Sequence, residues 1–384
     1  MSEVALKMER PKTATEVLEF VADANAAGRR LEIVGGGSKR SIGSVQTAEA
    51  VLSLAKLDKV VDYAPEELVL TAQAGARLAD LERLVAANGQ MLPFEAPHLT
   101  GLLGSKGEPT LGGVLATNLS GPRRVRAGAA RDHFLGFGAV TGRGEAVKAG
   151  GKVVKNVTGY DLSKLMAGSW GTLAVLTEVT IKVLPAGRTE LTLLFFGLDD
   201  RRACEAMAAA MNAPVELSGA AHVPERTAAR APLKGEMAVT ALRLEGFEAS
   251  VLARAEGLVV ALKGFGRPEQ LDAEHSREFW AQVREVAAFQ ADGWPLWRIS
   301  VPPASGWRVG EAVMGEALYD WGGGLVWMLS ADDPVAVRAA VRALGGHATC
   351  YRGHAPAFEP LAGPLAALTA RVKAAFDPTW TKYC

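Results

Sequence analysis

Three glycine-rich segments in the first half of the chain constrain its fold more than any other feature. The first, IVGGGSKRSIG at 33–43, directly follows the apolar stretch 31–34, which we predict to be a buried strand. Consecutive glycines let backbone N–H groups converge on an anion without obstruction by Cβ atoms, and Ser38 adds a hydroxyl. The segment therefore suits a pyrophosphate, with a tight loop between strands as the alternative. It is not a Rossmann fingerprint, because Arg40 stands where a third glycine is required.

The second segment, TLGGVLATNLSGPRRVRAGAARDH at 110–133, begins with Gly112 and Gly113. These glycines open a run of small residues, in which we expect a helix N-terminus to face an anion. Thr117 and Asn118 supply side-chain hydrogen-bonding groups. Residues 120–165 contain nine Lys or Arg against three Asp or Glu. This local excess indicates an electropositive site for an anionic cofactor and substrate, a solvated basic face, or a docking face for a partner.

The third segment spans 150–180, and Lys152 and Lys155 flank its irregular part around Gly159. Gly168 and Gly171 allow a close backbone approach before a β-branched strand that we predict at 172–184. Each segment alone is a weak signal. Their order along one chain is the stronger indication of a nucleotide-type cofactor site.

Pro185 marks the predicted boundary between two units of different texture. We expect the first unit, 1–185, to contain helices at 13–27 and 77–87, short strands near 31, 51, 60 and 67, and a hairpin at 134–149. Beyond it, strands and helices alternate, which predicts a second α+β unit with antiparallel sheet over 186–345. We expect residues 346–384 to return towards the first unit.

Composition and charge exclude several classes of protein. Formal net charge is zero, with 42 basic and 42 acidic residues, which argues against a nucleic-acid binder. The apolar runs fall far short of the roughly 20 residues that span a bilayer, and no apolar secretory segment opens the chain. Three cysteines without a C-x-x-C motif exclude an iron–sulfur cluster held by this chain alone, and the six histidines form no metal motif. We therefore expect a cytoplasmic protein without a metal site.

Five motifs resemble the vanillyl-alcohol-oxidase, or PCMH-type, flavoprotein superfamily. They are VGGGSKRSIG (34–43), TLGGVLATNLSGP (110–122), GAARDHFLG (128–136), KNVTGYDL (155–162) and GSWGTLAVLTEVTIKVLP (168–185). The resemblance implies an α+β protein with a two-part FAD-binding domain followed by an α+β cap. By motif position it also implies the residues that contact FAD: Gly35, Gly36, Gly37, Ser38, Gly112, Gly113, Thr117, Asn118, Gly128, Asp132, Gly171 and Val175. Ser38 stands where covalent members carry a histidine, so the resemblance implies non-covalent FAD.

Within the superfamily, the sequence is similar to an FAD-binding subunit of bacterial glycolate oxidases. That similarity implies oxidation of a small 2-hydroxy acid, with electrons passed to a partner or a quinone. The implied partners are a homologous catalytic flavoprotein subunit and an iron–sulfur subunit, through which the chain could sit at the inner face of the membrane. Trp170 replaces a glutamate of many catalytic relatives, and their histidine-rich signature is absent. His347 and Arg352 are weak candidates for catalysis. A non-catalytic assembly subunit and a stand-alone dehydrogenase remain as alternatives.

Overall fold

The computed structural model describes residues 7–42, 48–151, 160–230, 235–291 and 293–378, with the backbone of 382–383. In the first unit the elements are β1 (Lys7–Glu9), α1 (Ala14–Ala26), β2 (Leu31–Val34), β3 (Ala50–Ser53), β4 (Val60–Ala64), β5 (Val69–Gln73), α2 (Leu78–Ala86), β6 (Gln90–Met91), α3 (Thr100–Leu103), α4 (Leu111–Thr117), α5 (Arg124–Ala127), β7 (Phe134–Thr141), β8 (Ala146–Gly150), α6 (Leu162–Met166), β9 (Ala174–Lys182) and β10 (Leu184–Pro185).

The rest of the chain forms a second set of strands and helices, followed by a last helix and strand. These elements are β11 (Thr189–Phe196), α7 (Asp200–Asn212), β12 (Leu217–Val223), α8 (Glu225–Arg230), β13 (Val239–Gly246), α9 (Glu248–Ala261), β14 (Glu269–Leu271), α10 (Ala273–Arg284), β15 (Leu296–Ser300), α11 (Gly306–Ala312), β16 (Glu316–Asp320), β17 (Leu325–Leu329), α12 (Pro334–Ala343), β18 (His347–Arg352), α13 (Gly363–Phe376) and β19 (Lys382–Tyr383). Within the described ranges, no helix is long and apolar enough to span a bilayer.

Besides a short antiparallel ladder of β10 and β6, the first unit contains two larger sheets. One is a parallel sheet in the order β1-β3-β2-β19, and the other is an antiparallel sheet in the order β4-β5-β9-β7-β8. Helix α1 shows how sequence determines these elements. The Thr13 hydroxyl accepts a hydrogen bond from Glu16 N at 3.1 Å and caps the helix, while Val17, Val21 and Ala24 bury one face. These two sheets confirm the two-part organisation that we predicted for the first unit.

An eight-stranded antiparallel sheet forms the second unit, in the order β14-β11-β13-β12-β16-β17-β15-β18. One face of this sheet is covered by α7, α9 and α12. The opposite face packs against α10 and the first unit. The antiparallel cap that we expected is therefore present. Its central strand β12, LSGAAHV, was not among the expected strands, because small residues give little β-propensity. Gly219 lies beneath the Trp280 ring, where an added Cβ would stand 2.8 Å from the indole.

The C-terminal segment returns to the first unit later than we expected. Residues 347–352 pair with β15 and are the edge strand of the second sheet, so the return begins after Arg352 and not at 346. Helix α13 then reaches the first unit, where Val372 and Phe376 pack on its core. The Lys373 ammonium, paired with the buried Asp377 carboxylate, donates to the Thr172 carbonyl. Strand β19 adds to the edge of β2.

Buried charges join the two units. The Arg243 guanidinium of β13 donates to both carboxylate oxygens of Glu95 in the first unit, at 2.9 and 2.8 Å. In the opposite direction, Arg123 of the first unit donates to the Glu245 carboxylate at 2.9 and 3.0 Å. Burial alone would raise the pKa of Glu95, but Arg243 and Arg123 together hold that pKa below its usual range. The four residues thus form an ionised network that needs both units.

Candidate functional site

A cleft opens between the two sheets of the first unit. Its walls come from the end of β2 with the loop 35–40, from α4, and from the segment 170–176 that leads into β9. Eight of the twelve residues expected at the cofactor line it: Gly35, Gly36, Gly37, Ser38, Gly112, Gly113, Thr117 and Gly171. The glycine-rich segments, far apart in sequence, are brought together as walls of one cleft. Lys152, Lys155 and Gly159 of the third segment lie outside the described residues.

The glycines of the first segment are needed for a different reason from the one that sequence suggests. A Cβ on Gly36 would stand 1.9 Å from the Glu108 carbonyl oxygen, and one on Gly35 would stand 2.3 Å from the Thr110 hydroxyl. Gly37 forms a parallel bridge with Glu108 and has a φ of +81°, which glycine adopts without strain. Gly35 and Gly36 therefore let the loop pack on residues 108–110, and this packing fixes the backbone that faces the cleft.

The start of α4 is not the open anion site that we expected. Its first amides are already hydrogen-bonded within the protein: Leu111 N donates to Ala76 O at 2.9 Å and Gly112 N to Ala74 O at 2.8 Å. Gly113 N donates to the capping Thr110 hydroxyl at 3.3 Å. Helix α4 instead contributes a surface without side chains to the cleft wall. A Cβ on Gly113 would meet no atom within 4 Å except the Thr110 hydroxyl, at 3.1 Å.

Lys39 supplies a positive charge in the cleft that the sequence did not single out. Its ammonium donates to the neutral Ser38 hydroxyl at 3.1 Å, and Ser38 itself is buried. Burial lowers the pKa of Lys39 to about 8, although the Glu285 carboxylate acts in the opposite direction. The neighbouring Arg40 differs, because it is bonded by two contacts of 2.7 and 2.6 Å to Glu32. Lys39 is thus a partly desolvated cation that an anionic ligand would stabilise.

Trp170 and Gly171 form a further part of the cleft wall. Both have positive φ values, +54° and +75°, and the Trp170 amide donates to Ala116 O at 2.8 Å. A left-handed conformation is costly for a tryptophan, so the surrounding structure must impose it. The Trp170 ring packs edge-on against Phe358 of the C-terminal segment, with centroids 5.2 Å apart. The returning chain therefore buttresses the cleft.

Four residues expected at the cofactor do not line the cleft. Asn118 caps α4 with a φ of +51°, and its side-chain oxygen accepts from Arg131 N at 3.0 Å. The Asp132 carboxylate accepts from Ala129 N at 2.9 Å and packs beside Gly128, whose φ is +88°. Val175 is fully buried, while Ala174 and Leu176 on either side of it line the cleft. Asn118, Gly128 and Asp132 thus stabilise the turns after α4 and α5, and Val175 is a core residue of β9.

His347 and Arg352 are not brought together. They lie at opposite ends of β18, and a register shift of the ladder with β15 falls between them. The Arg352 guanidinium donates to the carbonyls of Trp294, Leu102 and Phe289 at 2.9 to 3.1 Å. Neither residue lines the cleft. Arg352 is a structural clamp between the units, and the expected base-and-clamp pair is not supported.

Two arginines at the interface of the units stack on one indole. The guanidinium carbon of Arg124, from α5, lies 4.3 Å from the Trp321 ring centroid, and that of Arg298, from β15, lies 5.1 Å from it. Within the described part of the chain, neither guanidinium has a hydrogen bond or an ion pair. Burial and the Arg298 charge lower the pKa of Arg124. Nearby, burial raises the pKa of Asp320 to about 7. No sequence motif predicted that these two arginines would lie together.

Part of the basic excess at 120–165 is paired within the described residues. Arg123 pairs with Glu95 and Glu245, Arg126 with Glu216, and Lys164 with Asp161. Arg143 donates to the carbonyls of residues 374 and 375. These pairs leave less charge for a broad basic face than the composition suggests, and the choice among the three interpretations of the excess stays a prediction.

The cleft fits FAD by its own construction. Side-chain-free surfaces at Gly113 and Gly171 allow a flat or extended group to approach the backbone, and Lys39 provides charge for a pyrophosphate. No three His, Cys, Asp or Glu side chains in the described residues group as a metal site. A cleft between two sheets of one unit, with a second antiparallel sheet packed on that unit, defines the class of protein: a flavoprotein with a PCMH-type FAD-binding domain and a cap.

Comparisons with known proteins agree with this class. Residues 7–150 match the family described as FAD binding domain. Over 94% of its length the chain is 36% identical to glycolate oxidase subunit GlcE of Escherichia coli K12, 93% of which is covered. It is 33% identical to glycolate oxidase subunit GlcD of Bacillus subtilis over 43% of this chain and 34% of that one. The structure of p-cresol methylhydroxylase superposes with a TM-score of 0.70 over 97% of this chain and 86% of that chain, at 14% identity. The chain belongs to the GlcE family of FAD-binding oxidoreductases.

Proposed function

We propose that this protein is the FAD-binding subunit of a heteromeric complex that oxidises glycolate, or a similar small 2-hydroxy acid, to the 2-oxo acid. The observation that carries the proposal is the FAD cleft in a chain 36% identical to a glycolate oxidase subunit over nearly its whole length. When bound, FAD supplies the two-electron acceptor for such an oxidation. The electrons then pass to a partner chain or a quinone.

We propose that loop 35–38, Lys39, Gly113 and Gly171 hold the cofactor without a covalent bond. The loop presents backbone to the pyrophosphate, Lys39 neutralises it, and the two glycines leave space for the rings. Ser38 is consistent with non-covalent binding, because a serine hydroxyl does not form the imidazole bond of covalent flavoproteins. The remaining expected residues would then act indirectly: Asn118, Gly128 and Asp132 through the turns that they stabilise, and Val175 through the packing of β9.

We propose Arg124 and Arg298 as the groups that bind the substrate carboxylate. Guanidinium groups recognise carboxylates through parallel hydrogen bonds, and both side chains have that capacity unused. The Trp321 indole holds them at the interface between the units. Trp170 of the FAD cleft packs against the same apolar cluster that contains Trp321, which links the two sites.

One observation favours a second candidate, an assembly subunit that keeps the flavin fold but leaves turnover to its partner. Among the described residues that line the cleft, the only carboxylate is Glu32, which is paired with Arg40, and no histidine is present. Oxidation of a 2-hydroxy acid requires a base for the hydroxyl proton. On this candidate, that base belongs to the homologous flavoprotein subunit.

A visible spectrum of the purified chain, followed by anaerobic glycolate, separates the two candidates. Bound flavin that is bleached by glycolate supports catalysis by this chain. Bound flavin that stays oxidised, and is bleached only after co-expression with the homologous flavoprotein and iron–sulfur subunits, supports the assembly role. A chain without flavin, and without any effect on such a complex, would contradict both.

We further propose the unit boundaries: an FAD-binding unit of 1–185, a cap of 186–352, and a segment from 353 that returns to the FAD-binding unit. Limited proteolysis should cut first near Pro185 or between β18 and α13. Association with the inner face of a membrane, if it occurs in the complex, would then be through partner chains.

A further inference from the structure

A buried carboxylate lies beside the two arginines that stack on one indole. Asp320 is the last residue of β16 and directly precedes Trp321, which carries both guanidinium groups. Its register partner on β17 is Leu325, a member of the apolar cluster that the cap shares with the first unit. Arg298 pairs in the same way with Trp327, two residues along β17 and in the same cluster. Asp320 and Arg298 therefore lie on the same face of the cap sheet, the face that meets the first unit.

One oxygen of the Asp320 carboxylate is free to contact a ligand. Its Oδ1 accepts a hydrogen bond from the Trp321 amide at 2.7 Å, whereas Oδ2 accepts none from the residues that the structure describes. Burial raises the pKa of Asp320 to about 7; Glu95 adds to this shift, and Arg243 and Arg298 oppose it. A carboxyl group whose pKa lies near neutrality can take up a proton from a ligand and release it again.

Other titratable or charged groups surround Asp320 and the arginine pair: Glu95, Arg123, Arg243, Glu245, His347 and Tyr351. The two glutamates are held ionised in their arginine pairs, with each pKa below the usual range. His347 lies on β18, which β15 separates from the strands that lead to Trp321. Burial raises the pKa of the Tyr351 hydroxyl, so it stays protonated. Asp320 is thus the carboxylate of this group that remains available to a ligand.

We propose that Asp320 is the base that takes the hydroxyl proton of the 2-hydroxy acid held by Arg124 and Arg298. This inference rests on the proposed function and on the role proposed there for the two arginines. In a 2-hydroxy acid the carbon that bears the hydroxyl is bonded to the carboxylate, so the base must stand beside the carboxylate-binding groups, as Asp320 does. The cap then supplies the base that the residues lining the FAD cleft lack.

The proposed step balances protons and electrons. The O–H bond of the substrate breaks and its proton goes to the Asp320 carboxylate. The C–H bond at the 2-carbon breaks, and its hydrogen leaves with both bonding electrons to the oxidised flavin while the carbonyl bond forms. The proton on Asp320 is afterwards released to water, which restores the base.

Binding of oxalate to the flavin-loaded chain tests the site without turnover. Oxalate resembles the 2-oxo acid product and has no C–H hydrogen to transfer. An ionised Asp320 repels its second carboxylate, so oxalate affinity of wild type should fall at least about tenfold from about pH 6 to about pH 8.5. Asp320→Asn keeps an oxygen for the Trp321 amide and cannot ionise, so its affinity should stay level over that range. Isothermal titration calorimetry measures both.

Anaerobic reduction of the flavin of this chain by glycolate tests the chemical step, in the isolated chain or, where only the complex is bleached, in the complex. Loss of a positioned base costs about 10²–10⁴-fold, so Asp320→Asn should slow reduction by that factor and lose the rise in rate that wild type shows around pH 7. The matched control is Glu316→Gln on the same strand, whose carboxylate pairs with Arg230. It should change the rate and the oxalate affinity less than about twofold.

Flavin content and thermal unfolding show whether both variants fold. A folded Asp320→Asn chain that is reduced at the wild-type rate would overturn the role of Asp320. So would an oxalate affinity that falls with pH in this variant as in wild type, because His347 or Lys39 would then be the titrating group. A wild-type flavin that glycolate reduces in neither state, in a chain that does not bind oxalate, would instead count against the proposed function.

Discussion

Replacing Lys39 by methionine should move stability and cofactor affinity in opposite directions. Methionine keeps most of the apolar stem and removes the ammonium. Burial lowers the pKa of Lys39 from 10.5 to about 8, and each pKa unit corresponds to about 1.4 kcal/mol, so the folded, flavin-free chain bears a cost of about 3 kcal/mol for this charge. Lys39→Met should therefore stabilise the flavin-free chain by up to about 3 kcal/mol at pH 7.

The dependence of stability on pH is a second test of whether Lys39→Met stabilises the flavin-free chain. Below pH 8 Lys39 is charged in both the folded and the unfolded chain, so the full cost is present. Between pH 8 and about 10.4 the folded chain releases its proton first, and its stability relative to the unfolded chain rises. The advantage of Lys39→Met should therefore be constant below pH 8 and disappear by about pH 10.5. Urea unfolding of flavin-free protein at several pH values measures it.

Cofactor affinity should change the other way. A charge-assisted contact between Lys39 and a pyrophosphate contributes about 1.5–3 kcal/mol, so Lys39→Met should weaken FAD binding about 10- to 150-fold at pH 7. Wild-type affinity should itself decline as pH rises above 8. Arg40→Met is the matched control, since its guanidinium is already paired with Glu32, and it should change affinity less than about threefold. Titration of flavin-free protein, followed by FAD fluorescence, gives both constants.

Two results would refute this reasoning. A Lys39→Met chain that is less stable than wild type at pH 7 would mean that the ammonium is satisfied without a ligand. Unchanged FAD affinity in a stable variant would mean that the pyrophosphate lies elsewhere along the cleft.

Four further variants and treatments test other parts of the structure. Gly113→Ala should unfold no more easily than wild type but lose FAD affinity at least about tenfold in the same titration, because its Cβ enters the cleft. Glu95→Gln leaves Arg243 buried without its carboxylate and should lower the free energy of unfolding in urea by about 3–5 kcal/mol; Glu216→Gln, in an exposed pair, should cost under about 1. Arg298→Met should raise the glycolate concentration that half-bleaches the flavin of the assembled complex at least about tenfold, with unchanged flavin content. Acid precipitation of wild type should release all FAD into the supernatant, and flavin left in the washed pellet would contradict non-covalent binding.

The fold of the first unit could be predicted well because its signals are local. The capped helix α1, the strand before Gly35 and the β7–β8 hairpin each follow from residues within a few positions of one another. Strand β12 could not be predicted, because its small residues are required by a contact with Trp280 of α10, about 60 residues later. A strand whose small residues are required by contact with a distant side chain has no hydrophobic periodicity from which it could be predicted.

Some residues of the candidate site could likewise be predicted from the sequence, and others could not. The glycines that line the cleft could be identified by motif, but motif alone assigned their role to the ligand, whereas Gly36 is required by the Glu108 carbonyl. Lys39 stood beside Ser38 in the same motif, yet nothing local shows that its ammonium is desolvated. Arg124 and Arg298 are separated by nearly half of the chain, and only the fold places both on Trp321.

Polar contacts between the two units hold the cap in place on the FAD-binding unit. Arg243 and Arg123 cross it in opposite directions to buried carboxylates, Arg352 holds three carbonyls from both sides, and the Trp321 indole N–H donates to Gly121 O at 3.0 Å. Opening the cap would break these contacts together and expose to water the apolar cluster that the two units share. On the proposed role of Arg298 and Arg124, a cap held in this way keeps the two guanidinium groups at a constant separation, so they would select carboxylates by geometry and not by closure around them. Substrates with a second bulky group on the 2-carbon should then be excluded by the rigid wall itself.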